Sequence, residues 1–175
     1  MVKALSIPIY EIDGYEADDV LGTLGNQATR IDMDTIIFTV DTDAVQLVSP
    51  TVRVYLWNPY TGKSSLYDEQ AVKDRYDVNP QQIADLKALK GDSSDNIPNV
   101  PGVGTKTASK LLQEFGHIDN VLVSIDEVTP PKLRQLLIDH QDTLRMALGL
   151  TTIVTSVPIS LDVGASIWGR YDRQE

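Results

Sequence analysis

Apolar positions first recur at helical spacing between Tyr15 and Thr29, where Ala17, Val20, Leu21, Leu24 and Ala28 form one stripe and Glu16, Asp18 and Asp19 crowd the first turn. The run Thr35-Ile36-Ile37-Phe38-Thr39-Val40 is too short and too β-branched for a helix and predicts a strand buried on both faces, ending abruptly at Asp41-Thr42-Asp43. Val52 to Trp57 predicts a second strand, Asn58 to Gly62 a turn, and Ser64 to Tyr67 a further short extended segment. This order predicts an α/β core with a mostly parallel sheet covered by helices.

After about residue 68 the pattern turns helical. Glu69 to Tyr76 and Pro80 to Lys90 predict helices, the second with Ile83, Leu86 and Leu89 on one face. A loop of turn formers from Gly91 to Gly104 follows, then a helix from Thr105 to Phe115 ended by Gly116, with Ala108, Leu111, Leu112 and Phe115 on its apolar face. Beyond the Pro130-Pro131 break one long helix is predicted, roughly Lys132 to Leu148, and Thr151 to Glu175 reads as an extended tail or linker. The expected divisions are therefore 1–68 for the α/β core, 69–150 for a helical subdomain and 151–175 for the tail.

Composition narrows the class. Absence of cysteine excludes disulfides, thiolate metal sites and cysteine nucleophiles, and fits a reducing, cytoplasmic compartment. No apolar run approaches the roughly 18 residues of a membrane span, and Met1 to Pro8 is too short and too soon interrupted for a signal peptide. The net charge of −10 argues at first against a phosphate-rich partner.

Where the acids sit changes that inference. Seven of the 25 fall in three groups at element ends: Glu16, Asp18 and Asp19; Asp41 and Asp43; Asp92 and Asp95. Asp41 and Asp43 close a strand, where open α/β sheets place ligands, and the other groups flank helix termini that can face the same crevice. Carboxylates converging in one cleft repel unless cations neutralise them, and two hard divalent ions can clamp the attacking and leaving oxygens of a phosphodiester displacement. No protein nucleophile is then needed, which suits a chain whose His117 and His140 read as a surface residue after a helix and a helix-face residue, neither beside an acidic group. Taken singly, the first group also fits helix-dipole stabilisation, and the other two fit turn and capping roles.

The loop from Val100 to Lys106 carries separate chemistry. Gly102 and Gly104, just before a helix N-terminus, let backbone N–H groups approach a phosphate, with Thr105, Lys106 and Lys110 adding donors and charge. Such contacts grip a backbone without reading bases; a plain turn before a helix with solvated lysines fits the same residues.

The segments Gly14-Tyr15-Glu16-Ala17-Asp18-Asp19, Thr39-Val40-Asp41-Thr42-Asp43-Ala44-Val45-Gln46-Leu47, Gly91-Asp92-Ser93-Ser94-Asp95-Asn96-Ile97-Pro98 and Pro101-Gly102-Val103-Gly104-Thr105-Lys106-Thr107-Ala108 closely resemble the 5′ nuclease domain of bacterial DNA polymerases of the first class, within the flap endonuclease superfamily. The resemblance extends over nearly the whole chain, with Trp168 to Arg173 resembling the junction with the polymerase portion. It implies a partial parallel-sheet, PIN-like core followed by a helix-hairpin-helix subdomain. It also implies a 5′-3′ exonuclease and flap endonuclease acting on DNA with a 5′ flap, a nick or an RNA primer, with two Mg2+ or Mn2+ ions and in some members K+ at the hairpin motif. The metal set it implies is Glu16, Asp18, Asp19, Asp41, Asp43, Asp92 and Asp95, with Glu16, Asp41 and Asp92 as catalytic members. The DNA-gripping set is Gly102, Val103, Gly104, Thr105, Lys106, Thr107 and Lys110.

Departures from the family pattern also bear on function. Leu5-Ser6-Ile7-Pro8 aligns to the middle of the family domain, so its first strand, two further metal-site aspartates and a basic helical arch are expected to be missing. Val40 and Asn99 stand where the family usually has glycine, and Asn99 is expected to tolerate a left-handed backbone. The competing functions are therefore a metal-dependent nuclease, a fragment that binds duplex DNA through the hairpin motif without cutting, and an acidic interaction domain with ordinary caps.

Overall fold

In the computed structural model, residue 5 and residues 7–167 are described; the first residues and the Trp168 to Arg173 segment lie outside them. Helix α1 (Ala17–Thr29) leads into β1 (Thr35–Thr39), a 3-10 turn over Asp43–Leu47, then β2 (Val52–Asn58) and β3 (Lys63–Tyr67). The sheet order is β1-β2-β3. β1 and β2 are parallel, with Ile37 opposite Val54, whereas β2 and β3 are antiparallel, with Val54 opposite Tyr67. The sheet is thus mixed, because the Asn58 to Gly62 turn is too short for a parallel crossover and returns the chain directly.

β1 is buried on one face only, contrary to the sequence expectation. Ile37 is 3% exposed, while Ile36 and Phe38 on the other face are 60% and 65% exposed. α1 and the 3-10 turn cover the first face; on the second, Phe38 stacks on Tyr55 with ring centroids 5.6 Å apart.

The helical half comprises α2 (Glu69–Tyr76), a 3-10 turn at Pro80–Gln82, α3 (Ile83–Lys90), α4 (Thr105–Phe115), α5 (Ile118–Val123), a 3-10 turn at Ile125–Glu127, α6 (Pro131–Asp139) and α7 (Gln141–Thr151). α3 is central: every residue from Ile83 to Leu89 is buried, and it packs on α4, α7 and the 3-10 turn of Asp43. α4 inserts Ala108, Leu111 and Leu112 as the periodicity predicts.

Several local expectations are corrected. The predicted long helix is two, because His140 leaves helical geometry at φ −115° and ψ 15° and its ring bonds back to Leu136 O at 2.9 Å. Leu137 and Leu144 face the core on either side, so the apolar period runs unbroken through a broken backbone. α5 went unpredicted: at six residues it is too short to show a period. It is held by tertiary contact, since buried Asp85 accepts from Ile118 N at 2.9 Å and pairs with His117 Nδ1 at 2.8 Å. His117 is thereby a partner of a buried acid, not simply a surface residue. Asn96, at φ 56°, takes the left-handed backbone expected of Asn99; Asn99 instead packs against Gly91.

The tail after α7 is extended but docked. Gln27 donates to Ile159 O and accepts from Leu161 N, each at 2.7 Å, and Thr23 accepts from Val157 N at 3.1 Å. The buried face of α1 therefore includes Gly22, Thr23 and Gly25 besides Val20 and Ala28, while Ala17 lies exposed. A side chain at Gly22 would meet Thr155 and Ile153 at 3.1 and 3.2 Å, so the absence of one lets the tail lie against the helix.

Candidate functional site

The acidic residues are fixed by the elements that end at them. Ala44 and Val45, both at 0% exposure, anchor the 3-10 turn and so set Asp43, whose N–H donates to Asp41 Oδ1 at 2.9 Å. Asp92 leaves the C-terminal end of α3 through Gly91, at φ 76°, and its backbone pairs with buried Ile97 in both directions, closing a loop with Asp95 near its tip. In α1, Glu16 and Asp19 form a reciprocal capping box.

The three sequence groups converge. One carboxylate oxygen each from Asp43, Asp92 and Asp95 lies within 4.8 Å of the other two. Asp43 also lines a cleft of about 290 Å³ with Glu16, Asp18 and Asp19, walled on the far side by residues 149–154. Asp18 registers the crowding: burial first, then the charges of Asp41, Glu16 and Asp19, push its carboxyl above the ordinary range, against a smaller opposing pull from Lys87.

Spacing alone did not reveal Lys87. Its ammonium pairs with Asp43 Oδ1 and lies 2.8 Å from Asp92 Oδ2, with side-chain exposures of 8% for Lys87, 19% for Asp43 and 13% for Asp92. Burial by itself would raise the Asp92 carboxyl, but hydrogen bonds from Lys87 and from the Ser94 hydroxyl and N–H hold it down at about 2. Lys87 adjoins the Ile83, Leu86 and Leu89 stripe of α3, and nothing in that stripe's spacing marks it. It becomes a site residue only because α3 is covered all round.

The loop before α4 forms a separate surface. Gly102 turns at φ 80°, Val103 is buried, and Gly104 caps α4 with no side chain and with nothing within 4 Å of where a Cβ would stand. Thr105 and Lys106 are exposed at the first turn, and Lys106, Thr107 and Lys110 line a groove of about 250 Å³ with Leu133 and Pro130. No described helix is long and apolar enough to cross a membrane.

A small sheet followed by a helical bundle is an architecture this chain shares with 5′ nucleases of known structure. It is similar to bacteriophage T5 5′-exonuclease bound to divalent metal ions (zinc), with a TM-score of 0.72 and 25% identity over 85% of this chain and 54% of that one. It is similar also to the T5 flap endonuclease in complex with DNA and metal ions, with a TM-score of 0.69 and 25% identity over 83% and 53%. The catalytic core of Rad2, at 16% identity and a TM-score of 0.58, shares the fold.

The sequence relationship is closer still. Residues 1–77 match the N-terminal resolvase-like domain of 5′-3′ exonucleases and residues 78–174 their C-terminal SAM fold. The chain belongs to the 5′-3′ exonuclease family. DNA polymerase I of Chloroflexus aurantiacus is 52% identical over 99% of this chain, and that of Bacillus subtilis 39% identical over 100%. The chain spans about a fifth of the length of these relatives, 19% and 20% respectively.

Proposed function

We propose that the acidic cleft is the hydrolytic centre of a 5′-3′ exonuclease and 5′ flap endonuclease acting on DNA, and on primer RNA, in replication and repair beside a polymerase portion. The carrying observation is the meeting of Asp43, Asp92 and Asp95 oxygens within 4.8 Å. The donor set suits a hard divalent cation: it is all oxygen, and an ammonium already lies against two of its members. Asp43, Asp92 and Asp95 would hold Mg2+ or Mn2+, with Glu16, Asp18, Asp19 and Asp41 supplying the facing acidic wall and room for a second ion. Bound there, such ions supply Lewis-acid polarisation of the phosphate and a lowered pKa for water.

The chain's own residues do the rest. Asp41 Oδ1 fixes the turn by accepting from the Asp43 N–H, and Ser94 orients Asp92. The main chain at Gly102 and Gly104 lies open to a duplex phosphate or to K+, and Lys106 and Lys110 add charge that grips without reading sequence. Gathering seven of the 25 acids at the cleft, while Lys106 and Lys110 stand together on α4, reconciles a net charge of −10 with a nucleic-acid partner.

The test is cleavage of a labelled 5′-flap duplex, with Mg2+ or EDTA, by this chain and by a version extended upstream. Metal-dependent cleavage that Asp92→Asn abolishes is expected, and Lys106→Ala should weaken duplex binding with a salt slope reduced by about 1. If neither version cuts, the nuclease reading fails; metal-independent duplex binding without cleavage by either version would favour a pure binding module.

A further inference from the structure

Lys87 is unusual in its surroundings. The helix that carries it is buried from Ile83 to Leu89, and Lys87 itself is 6% exposed, its side chain bordering a cleft it shares with Asp92 and Ser94. An ammonium in such a place is costly unless paired. Its partners belong to two segments far apart in the chain: Asp43 in the 3-10 turn after β1, and Asp92 in the loop after α3. Those same two carboxylates belong, with Asp95, to the group that could hold a cation. A lysine and a divalent ion are therefore alternative sources of positive charge for one set of carboxylates.

The geometry points to Lys87 as the resident counter-ion of the acidic centre, a positioning residue that holds Asp43 and Asp92 together before a divalent cation arrives and then competes with that cation for their oxygens. This inference rests on the metal-centre reading above. It makes Lys87 a determinant of metal affinity, and it couples metal binding to stability. A lysine with a purely structural role differs in sign: its loss would loosen the ligands and weaken metal binding, or leave it unchanged.

The discriminating experiment titrates Mn2+ calorimetrically into the wild-type chain, Lys87→Met and Asp92→Asn, with thermal unfolding of each in EDTA and in saturating Mn2+. Lys87→Met is expected to bind Mn2+ at least about tenfold more tightly, since a unit charge a few ångströms from the ion is removed. It is also expected to melt earlier than wild type in EDTA and to gain more from Mn2+. Unchanged or weaker binding by Lys87→Met, with binding lost in Asp92→Asn, overturns the role of Lys87 and leaves the metal centre standing. Wild-type binding by Asp92→Asn overturns the metal centre and this inference with it. Should Lys87→Met fail to fold, NMR of the Lys87 ammonium in the wild-type chain decides: its protected signal should shift or vanish on Mg2+ saturation, and an unmoved signal overturns the competition.

Discussion

Asp19 Oδ1 accepts a hydrogen bond at 2.8 Å from the N–H of Val154, 135 residues further along the chain, while Oδ2 accepts from Glu16 N at 3.2 Å. One carboxylate of the acidic cleft thus closes the first turn of α1 and straps the tail to it. Gln46, in the 3-10 turn of Asp43, also holds the tail, donating to Thr151 O at 3.1 Å and accepting from Ile153 N at 3.0 Å. Tail and acidic cleft are one mechanical unit.

Replacing Asp19 tests that unit. Asp19→Ala removes a capping acceptor and the bond to Val154, and is expected to cost about 1–3 kcal/mol. Asp19→Asn, which keeps an acceptor for one of them, should fall between. Urea unfolding gives the answer, and a midpoint for Asp19→Ala equal to that of wild type would show that the strap carries no energy.

Acid stability should depend on Asp92. Its carboxyl is held at about 2, below the 3.8 of an unpaired aspartate, so its ionised form favours the folded state above about pH 4. That contribution, about 2 kcal/mol, is lost as pH falls through about 2. Asp92→Asn, lacking the ionisable group, should lose less stability than wild type between pH 6 and pH 2.5, read as the shift in urea midpoint; equal losses would mean that Lys87 and Ser94 do not hold the carboxylate as described.

Much of this was legible in the sequence because it is local. Thr105 to Phe115 shows a full helical period, and Asp41, Asp43, Asp92 and Asp95 stand at element ends in plain view. What escaped depends on contacts between distant segments. Lys87 meets Asp43 and Asp92 only through the packing of α3 against the 3-10 turn of Asp43 and the return of the chain after Gly91. The docking of the tail rests on Gln27 and Gln46, ordinary polar residues whose partners lie 105 to 134 positions away. Phe38 looked buried because β-branched and aromatic runs resemble one another whether one face or both are covered.

Gly91 has a specific steric reason to be glycine. At φ 76° and ψ 165° it occupies a backbone region closed to side chains, and a Cβ there would stand 2.8 Å from Asn99 Cβ and 3.0 Å from Ile97 O. Gly91→Ala is expected to cost about 2–4 kcal/mol and to displace Asp92, weakening Mn2+ binding along with stability. Calorimetric titration and urea unfolding should move together; a destabilised variant with wild-type metal affinity would separate the Gly91 turn from the position of Asp92.

Asp18 should show stability and metal binding pulling in opposite directions. Burial, then Asp41, Glu16 and Asp19, raise its carboxyl, so the ionised form is disfavoured in the folded chain at neutral pH. A carboxyl raised by folding contributes stability that is present at low pH and lost as pH rises through its folded value. Asp18→Asn keeps the shape and removes the charge, and without metal it should melt at a higher temperature than wild type at pH 8. The gain should disappear below about pH 4, where an unfolded aspartate is itself protonated. Divalent cations reverse the ranking, because the variant has one carboxylate fewer in the cleft; its Mn2+ affinity should fall and its metal-induced rise in Tm should shrink. Melting curves in EDTA and in Mn2+ at pH 8 and pH 4 carry the test. An Asp18→Asn chain less stable than wild type in EDTA at pH 8 would show that Asp18 is a structural hydrogen-bonding residue and that the repulsion is not what sets its energy.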